Sequence, residues 1–501
     1  MKRIYYAKTK FVDIEQGEQL SVLLNERQAW TYGIHVTDEV SLIYKGKEIV
    51  VSVDLSNKFI KPGQIGILKD VREKYGIKQH EIVTISYTKT SLDSVEALKK
   101  SLKGGKLNEK EIKSIIDDIA SGRFTTILTT YYAASAFLHK PDLKELFWTA
   151  KAMANTGETL KFKGIVADKH CIGGVPGNET SMIAVPIIAS LGIKIPKSFS
   201  KAITSPAATG ECVNVLMDIS FDTNQIKDLI KKNNCCLIRG GGVNIAPADD
   251  KIIQVSYPLS LESTDKAVVS IMAKKYAMGI THCLIDIPLG PTAKVNNIQQ
   301  AKDLKKKFEY IGKSFGMKMH VEITDAKQPI GAGIGAIMQV REVLRVLQQH
   351  TLRPMDLQNK AVFLASKIIE LVGMAKGKSA YALAMKQLTS GEAWKKMQKI
   401  IILQNGKNPN IKSEELPLAK IQKEIIAEKN GKVKNINMKF LNLAARALGS
   451  PLDAQGGLYL NKKLDDVVKK GDVICTLYTN DENKIAVALN IIKEKNVYEI
   501  K

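Results

Sequence analysis

The spacing of apolar positions changes three times along this chain of 501 residues. Residues 1–88 carry short β-branched runs, "QLSVLLN", "EIVVSVDLS" and "EIVTISYT", with Tyr44-Lys45-Gly46-Lys47 as a turn between two of them, which predicts a small β-rich accessory domain. The period then lengthens. Ile112, Ile115, Ile116 and Ile119 fall at i, i+3, i+4 and i+7 behind Asn108, a residue that can cap a helix start, and helical character runs on through "FWTAKAMANTGETL". A helical domain over 89–160 follows. From 161 to 425 strand-like runs ("KGIVAD", "THCLIDIPLG", "KMHVEITD") alternate with helical stretches such as "IMQVREVLRVLQQH", the pattern of an α/β domain. Residues 426–501 include "LYLNKKLDDVVKKGDVICTLYT", β-like runs around Lys470-Gly471-Asp472, and predict a β-rich C-terminal domain.

Composition agrees with a folded, multidomain chain: 45% hydrophobic and 25% charged residues exclude a fibrous or wholly disordered protein. No uncharged apolar run reaches the ~18 residues of a membrane span, and the basic N-terminus is followed by no apolar signal segment. Cysteines 171, 212, 235, 236, 283 and 475 form no CxxC pair, so reduced thiols and a cytoplasmic location are expected. The seven histidines show neither HxH nor HExxH, and no metal site is expected. With 74 Lys+Arg against 51 Asp+Glu the formal charge is +23, which points to an anionic partner. The lysines are scattered, and the runs Lys231-Lys232 and Lys305 to Lys307 read as solvated helix faces. Aromatics at 6% offer no basic module interleaved with stacking residues, which argues against nucleic acid.

One stretch carries a specific chemistry. In "VADKHCIGGVPGNETSMIAVPIIASLG" a strand ending at Asp168-Lys169-His170 runs through Gly173-Gly174-Val175-Pro176-Gly177-Asn178 into a helix opened by Thr180 and Ser181. Glycines let the backbone approach an oxyanion, and a helix start offers unpaired N–H groups and a positive dipole end. Lys169 adds charge and the two hydroxyls add donors. The stretch is neither a Walker loop nor GxGxxG. A second stretch, "PKSFSKAITSPAATGE", clusters Ser198, Ser200, Thr204, Ser205 and Thr209 around Lys201, a set suited to the oxygens of a sugar and an anion. A third, "ESTDKAVVSIMAKKYAMG", places Ser270 and Lys274 one helical turn apart.

"DKHCIGGVPGN", "KAITSPAATGE", "NIAPADD", "SIMAKKYAMG", "DIPLGPTAKV", "QPIGAGIGA" and "AARALGSPLDAQGGLYL" stand in the order and spacing of the thymidine/pyrimidine-nucleoside phosphorylases, and the chain resembles the longer, second type of that family, which includes bacterial thymidine phosphorylases and archaeal AMP phosphorylases. The resemblance implies an α/β domain, an all-helical domain built from two segments, here 89–160 and about 245–278, small β-rich terminal domains, and a site in the cleft between helical and α/β domains. It implies reversible phosphorolysis of an N-glycosidic bond with inorganic phosphate as co-substrate, no metal or organic cofactor, and a homodimer or larger homo-oligomer. By similarity Lys169, Gly173, Gly174, Thr180, Ser181, Ser200 and Thr209 hold phosphate. Gly174, the run Ser200, Lys201, Ala202, Ile203, Thr204 and Ser205, then Thr209, Ser270, Lys274 and Lys294 bind the nucleoside or nucleotide. Glu262, Lys169 and His170 are the implied catalytic residues.

Several positions depart from the family pattern. The proton-donor aspartate is Glu262, the arginine upstream of it is Tyr257, the arginine of the "SRAITS" motif is Lys201, and the tryptophan before the glycines is Arg239. Lys169 in "DKH" resembles the bacterial branch and sets the expected substrate as thymidine. The alternatives are AMP, giving adenine and ribose 1,5-bisphosphate, a degenerate non-catalytic binding homologue, or a phosphoribosyltransferase of related architecture.

Overall fold

The computed structural model describes residues 4–16, 20–36, 38–87, 92–138, 140–199, 205–240, 244–256 and 263–501. Two compact units form, Met1–Thr156 with Ala248–Leu261, and Gly157–Pro247 with Glu262–Lys501.

The first unit opens with six strands, β1 (Ile4–Phe11), β2 (Ser21–Leu24), β3 (Glu39–Tyr44), β4 (Lys47–Leu55), β5 (Gln64–Ile67) and β6 (Ile82–Tyr87). They close into a barrel in the order β1-β5-β2-β4-β3-β6 around Val22, Leu24, Val40, Leu42, Val53, Ile65 and Ile67. Closure leaves no free sheet edge. Two short helices, α1 (Glu26–Thr31) and α2 (Lys69–Tyr75), interrupt the strands. The β3–β4 hairpin turns at Lys45 and Gly46, whose φ of 48° and 77° suit a two-residue turn.

Four helices follow, α3 (Leu92–Leu102), α4 (Glu109–Ser121), α5 (Thr126–Leu138) and α6 (Leu143–Ala154). Asn108 caps α4 in a reciprocal box with Glu111, and the helix buries Ile112, Ile115, Ile116 and Ile119, as their spacing requires. From the segment 245–278, Lys251 donates to the Ala120 carbonyl at the end of α4 within the first unit.

The second unit runs β7 (Ala167–Cys171), α7 (Thr180–Ser190), β8 (Ile195–Phe199), α8 (Thr209–Leu216), α9 (Thr223–Asn233), β9 (Cys235–Arg239), α10 (Pro247–Ser256, leaving for the first unit), α11 (Thr264–Ala277), β10 (His282–Leu289), α12 (Ile298–Ser314) and β11 (Lys318–Asp325). It continues through β12 (Gly333–Ile334), α13 (Ala336–Leu347), α14 (Met355–Leu371), α15 (Gly377–Thr389) and α16 (Glu392–Leu403). β11, β10 and β7 pair in parallel, β8 and β9 pair in parallel, and the isolated bridge Val166–Lys194 joins the two sets. The strand order is therefore β11-β10-β7-β8-β9, and the chain reverses its direction of travel between β7 and β10.

The C-terminal residues have a core of their own in this unit. Strands β13 (Ile421–Ile426), β14 (Gly431–Ile436), β15 (Gly457–Leu460), β16 (Val467–Val468), β17 (Val473–Thr479) and β18 (Tyr498–Ile500) are packed with two helices, α17 (Met438–Ala447) and α18 (Glu482–Glu494). β12 joins their sheet, in the order β12-β15-β17-β13.

On the outer edge of β9 the Ile219 carbonyl accepts from Arg239 N, and one side chain serves Leu237. Gln404, fully buried at the end of α16, accepts from Leu237 N and donates to the carbonyls of Leu237 and Asp218, each at 2.8 Å, in the manner of a neighbouring strand's peptide. Gln404→Leu orphans these backbone groups and is expected to lower stability by about 2–4 kcal/mol, read as the shift of the urea unfolding midpoint. A shift below about 0.5 kcal/mol, the range of ordinary surface changes, would show that the edge is held by other means.

Candidate active site

Ligands of open α/β sheets gather outside the carboxyl ends of strands where the chain reverses direction, and here that point lies between β7 and β10. The glycine-rich bend, residues 172–179, leaves β7 there. Gly173, Gly174 and Gly177 all have φ between 73° and 90°, a region that favours glycine. A Cβ on Gly174 would stand 2.6 Å from that of Lys294, and one on Gly177 would overlap the Ile330 carbonyl, so two neighbouring segments press on the bend. At Gly173 nothing lies within 4 Å of the same position, which leaves that turn open.

The bend delivers the chain into α7. This helix is apolar on every side and buried from Thr180 to Ala189, so it is a core element with no solvent face. Its N-cap, Glu179, makes no side-chain capping bond. Beneath the helix start lies Lys169, 1% exposed, whose Nζ donates to Thr180 Oγ1 at 2.6 Å and Ser181 Oγ at 3.4 Å. A buried ammonium is thereby held with two neutral hydroxyls at the positive end of a helix. That arrangement repels cations and favours an anion.

Strand alternation separates two sets of groups. Lys169 and Cys171 project to one face of β7. Cys171 Sγ accepts from Gly173 N and Asn178 Nδ2, and burial pushes its thiol up to about 11, so it is neutral. Asp168 and His170 project to the other face. Asp168 is fully buried, pairs with Lys275 of α11 and lies 3.5 Å from Lys197 of β8. Burial pulls Lys197 down to about 7. His170 is held well below its ordinary value by burial and by the charges of Lys275, Lys197, Lys169 and Lys274, and its ring is neutral.

The remaining residues expected from sequence are distributed around this centre. Lys294 packs against Gly174 and is exposed. Thr209 opens α8 beside Glu179, and Ser205 accepts from Arg446 through its carbonyl. Ser270 and Lys274 are half-buried on α11. Glu262, Tyr257, Ser200, Lys201, Ala202, Ile203 and Thr204 lie outside the described residues. Lys275, Lys197, Asp168 and Glu179 were missed as site groups. In sequence Lys275 differs from Lys274 only by its place on the helix, and it is the one that is buried.

Comparison with known proteins agrees with this geometry. Residues 163–394 match the glycosyl transferase family a/b domain, and residues 432–499 match the pyrimidine nucleoside phosphorylase C-terminal domain. An AMP phosphorylase of Methanocaldococcus jannaschii is 35% identical over 97% of this chain and 96% of the relative, and one of Thermococcus kodakarensis is 37% identical over 96% and 95%. The chain belongs to the pyrimidine-nucleoside phosphorylase family. It is a pentosyltransferase-type enzyme. The fold is shared with anthranilate phosphoribosyltransferase from Thermus thermophilus, at a TM-score of 0.53 and 16% identity, over 62% of this chain and 99% of that one.

The relatives overturn the expectation of thymidine as substrate, since near-full-length members of this phosphorylase family named AMP phosphorylase are what the chain matches. That expectation rested on Lys169. Its ammonium is enclosed under α7, where it donates to the hydroxyls of Thr180 and Ser181. Among the described residues no helix is long and apolar enough to cross a membrane, and no group of three or more metal-ligating side chains occurs.

Glu179 supplies a pH test. Its Oε1 accepts from Gln339 Nε2 at 3.1 Å, and burial pushes its carboxyl from 4.5 up to about 7. Between these values the folded protein holds the extra proton, so the contribution to stability is full at low pH and is lost as pH rises through 7. Glu179→Gln keeps the acceptor for Gln339 and is expected to flatten part of the fall in unfolding free energy between about pH 5 and about 8, to which Glu342 and Glu39, both also raised to about 7 by burial, contribute as well. An unchanged slope would place the Glu179 proton elsewhere.

Proposed function

We propose that this chain is an AMP phosphorylase. The observation that carries the reading is the near-full-length match, at 35% and 37% identity, to relatives of that name. The anion-seeking bend supports it.

In this reading inorganic phosphate rests at the bend between Gly173, Gly174 and the start of α7, with Lys169, Thr180, Ser181, Ser200 and Thr209 as donors. The nucleotide lies along Gly174, Ser200 to Ser205, Thr209 and Lys294, with Ser270 and Lys274 toward its base. A phosphate oxygen attacks C1′ of the ribose. The C1′–N9 bond breaks with its electron pair passing to adenine, and a proton delivered to the base lets it leave as neutral adenine. Glu262 is the acid at the position of the family's aspartate. The sugar becomes ribose 1,5-bisphosphate. Two effects do the work: placing the nucleophile against the anomeric carbon removes an entropic cost, and fixed ammonium and hydroxyl groups offset the oxyanion charge without reorganising. Neutral His170 lies close to Lys274 and to the back of β7, where it can accept or donate one hydrogen bond without adding charge. The reaction so written uses phosphate alone as co-substrate.

Purified protein given AMP is expected to release adenine only when phosphate is supplied, with ribose 1,5-bisphosphate identified by phosphorus NMR. Lys169→Met should lower kcat/KM for phosphate by about 100-fold or more, the scale on which a preorganised charged donor acts. Adenine release without phosphate would reject phosphorolysis. Tight AMP binding without adenine release would favour the non-catalytic reading that Glu262 and Tyr257 motivate, and restoring Asp and Arg at those positions should then raise activity.

A further inference from the structure

Behind the bend lies a charged pair that the chemistry above leaves unused. Asp286 of β10 stands in register with Cys171 of β7, on the face of the sheet that carries Lys169, and is fully buried. Its Oδ1 accepts from Thr324 Oγ1 at 2.6 Å. Its Oδ2 has no hydrogen-bond partner, and neither has Nζ of Lys360, which approaches it from α14 at 3.6 Å. The Lys360 side chain is 9% exposed. An ammonium with three N–H groups and none satisfied is among the costlier things a protein interior can hold, and a counter-ion beyond hydrogen-bond reach offsets it only in part.

The place of this pair suggests what completes it. Cys171 borders the bend, its sulfur accepting from Gly173 N, and it feels Asp286, Lys169 and Lys360 together. Both lysines therefore flank one strand end. Lys169 has two hydroxyl partners, whereas the donors of Lys360 are unused.

We propose that Lys360 is a second ammonium of the oxyanion site, kept at the floor of the bend by Asp286 and donating to bound inorganic phosphate alongside Lys169. This rests on reading the bend as the phosphate site. Asp286 holds the cation in place while the site is empty. The incoming anion then takes up N–H groups that the carboxylate leaves unsatisfied.

Lys360→Met alone would strand the Asp286 charge and risks misfolding, so the neutral pair Lys360→Met/Asp286→Asn carries the test. Phosphate affinity is measured by calorimetry on the full chain, and KM for phosphate and for AMP in the turnover assay. The double variant is expected to bind phosphate about tenfold or more weakly, with phosphate KM rising in parallel and AMP KM within about twofold of wild type. Phosphate binding by the double variant equal to wild type would overturn the proposal, leaving Lys360 as a neutraliser of Asp286. A loss confined to AMP KM would overturn it too. Calorimetry separates this inference from the reaction: a wild type that binds phosphate but releases no adenine removes phosphorolysis alone, and the ratio of the two affinities still decides Lys360. A wild type that binds no phosphate removes both.

Discussion

The second unit is organised around a buried like-sign contact: the ammonium of Lys169 under the positive end of α7. Neither partner can retreat. Lys169 leaves a parallel strand paired to β10, and α7 is an apolar cylinder packed in core on all sides, so rotating or sliding it would open cavities. The bend between them is equally constrained, because Lys294 presses on Gly174 and the Ile330 carbonyl on Gly177. Positive potential is thus built into the fold at one spot, and a bound oxyanion is the species that relieves it.

The two faces of β7 divide the remaining work. On one, Lys169 and the neutral thiol of Cys171 adjoin the bend. On the other, Asp168 pairs with Lys275 and fixes α11 against the sheet, which also sets where Ser270 and Lys274 stand. The ion pair with Asp168 belongs to Lys275, so its neighbour Lys274 stands further out on the helix, half-buried. A five-residue strand with alternating side chains therefore presents two different sets of polar groups on opposite faces, next to the reversal point between β7 and β10.

The local features of this protein were legible in its sequence, and the long-range ones were not. The bend and α7 could be read directly, since glycine, proline and an unbroken apolar run specify a turn and a buried helix without outside information. The Asn108 cap and the Lys45-Gly46 turn are equally local. By contrast, Asp286 and Lys360 are both ordinary within "LIDIPLG" and "LQNKAVF", and only the pairing of β10 with β7 and the packing of α14 bring them behind Cys171. Glu179 meets Gln339 for the same reason. The choice between Lys274 and Lys275 depends on the rotation of α11, whose weak amphipathicity left the buried face unmarked. Helices α17 and α18 went unseen because glycine- and lysine-rich β runs dominate the pattern around them. The substrate was misread from Lys169 because a residue's type was used where its burial decides its role.

The balance of charge inside the second unit favours anions at the bend. Four lysines, Lys169, Lys197, Lys275 and Lys360, have buried side chains near the two strand ends, with Asp168 and Asp286 as their buried aspartates. Glu179 is nearby, but with its carboxyl raised to about 7 it is no full counter-charge. Burial first, and the neighbouring lysine charges second, withhold protons here: Lys197 is drawn down to about 7 and His170 is neutral. A phosphate arriving at the bend reverses that balance, because an added negative charge favours the protonated form of every cation around it. Anion binding and proton uptake are then two sides of one equilibrium, and a substrate that brings a phosphate of its own draws on the same excess of charge that holds the nucleophile.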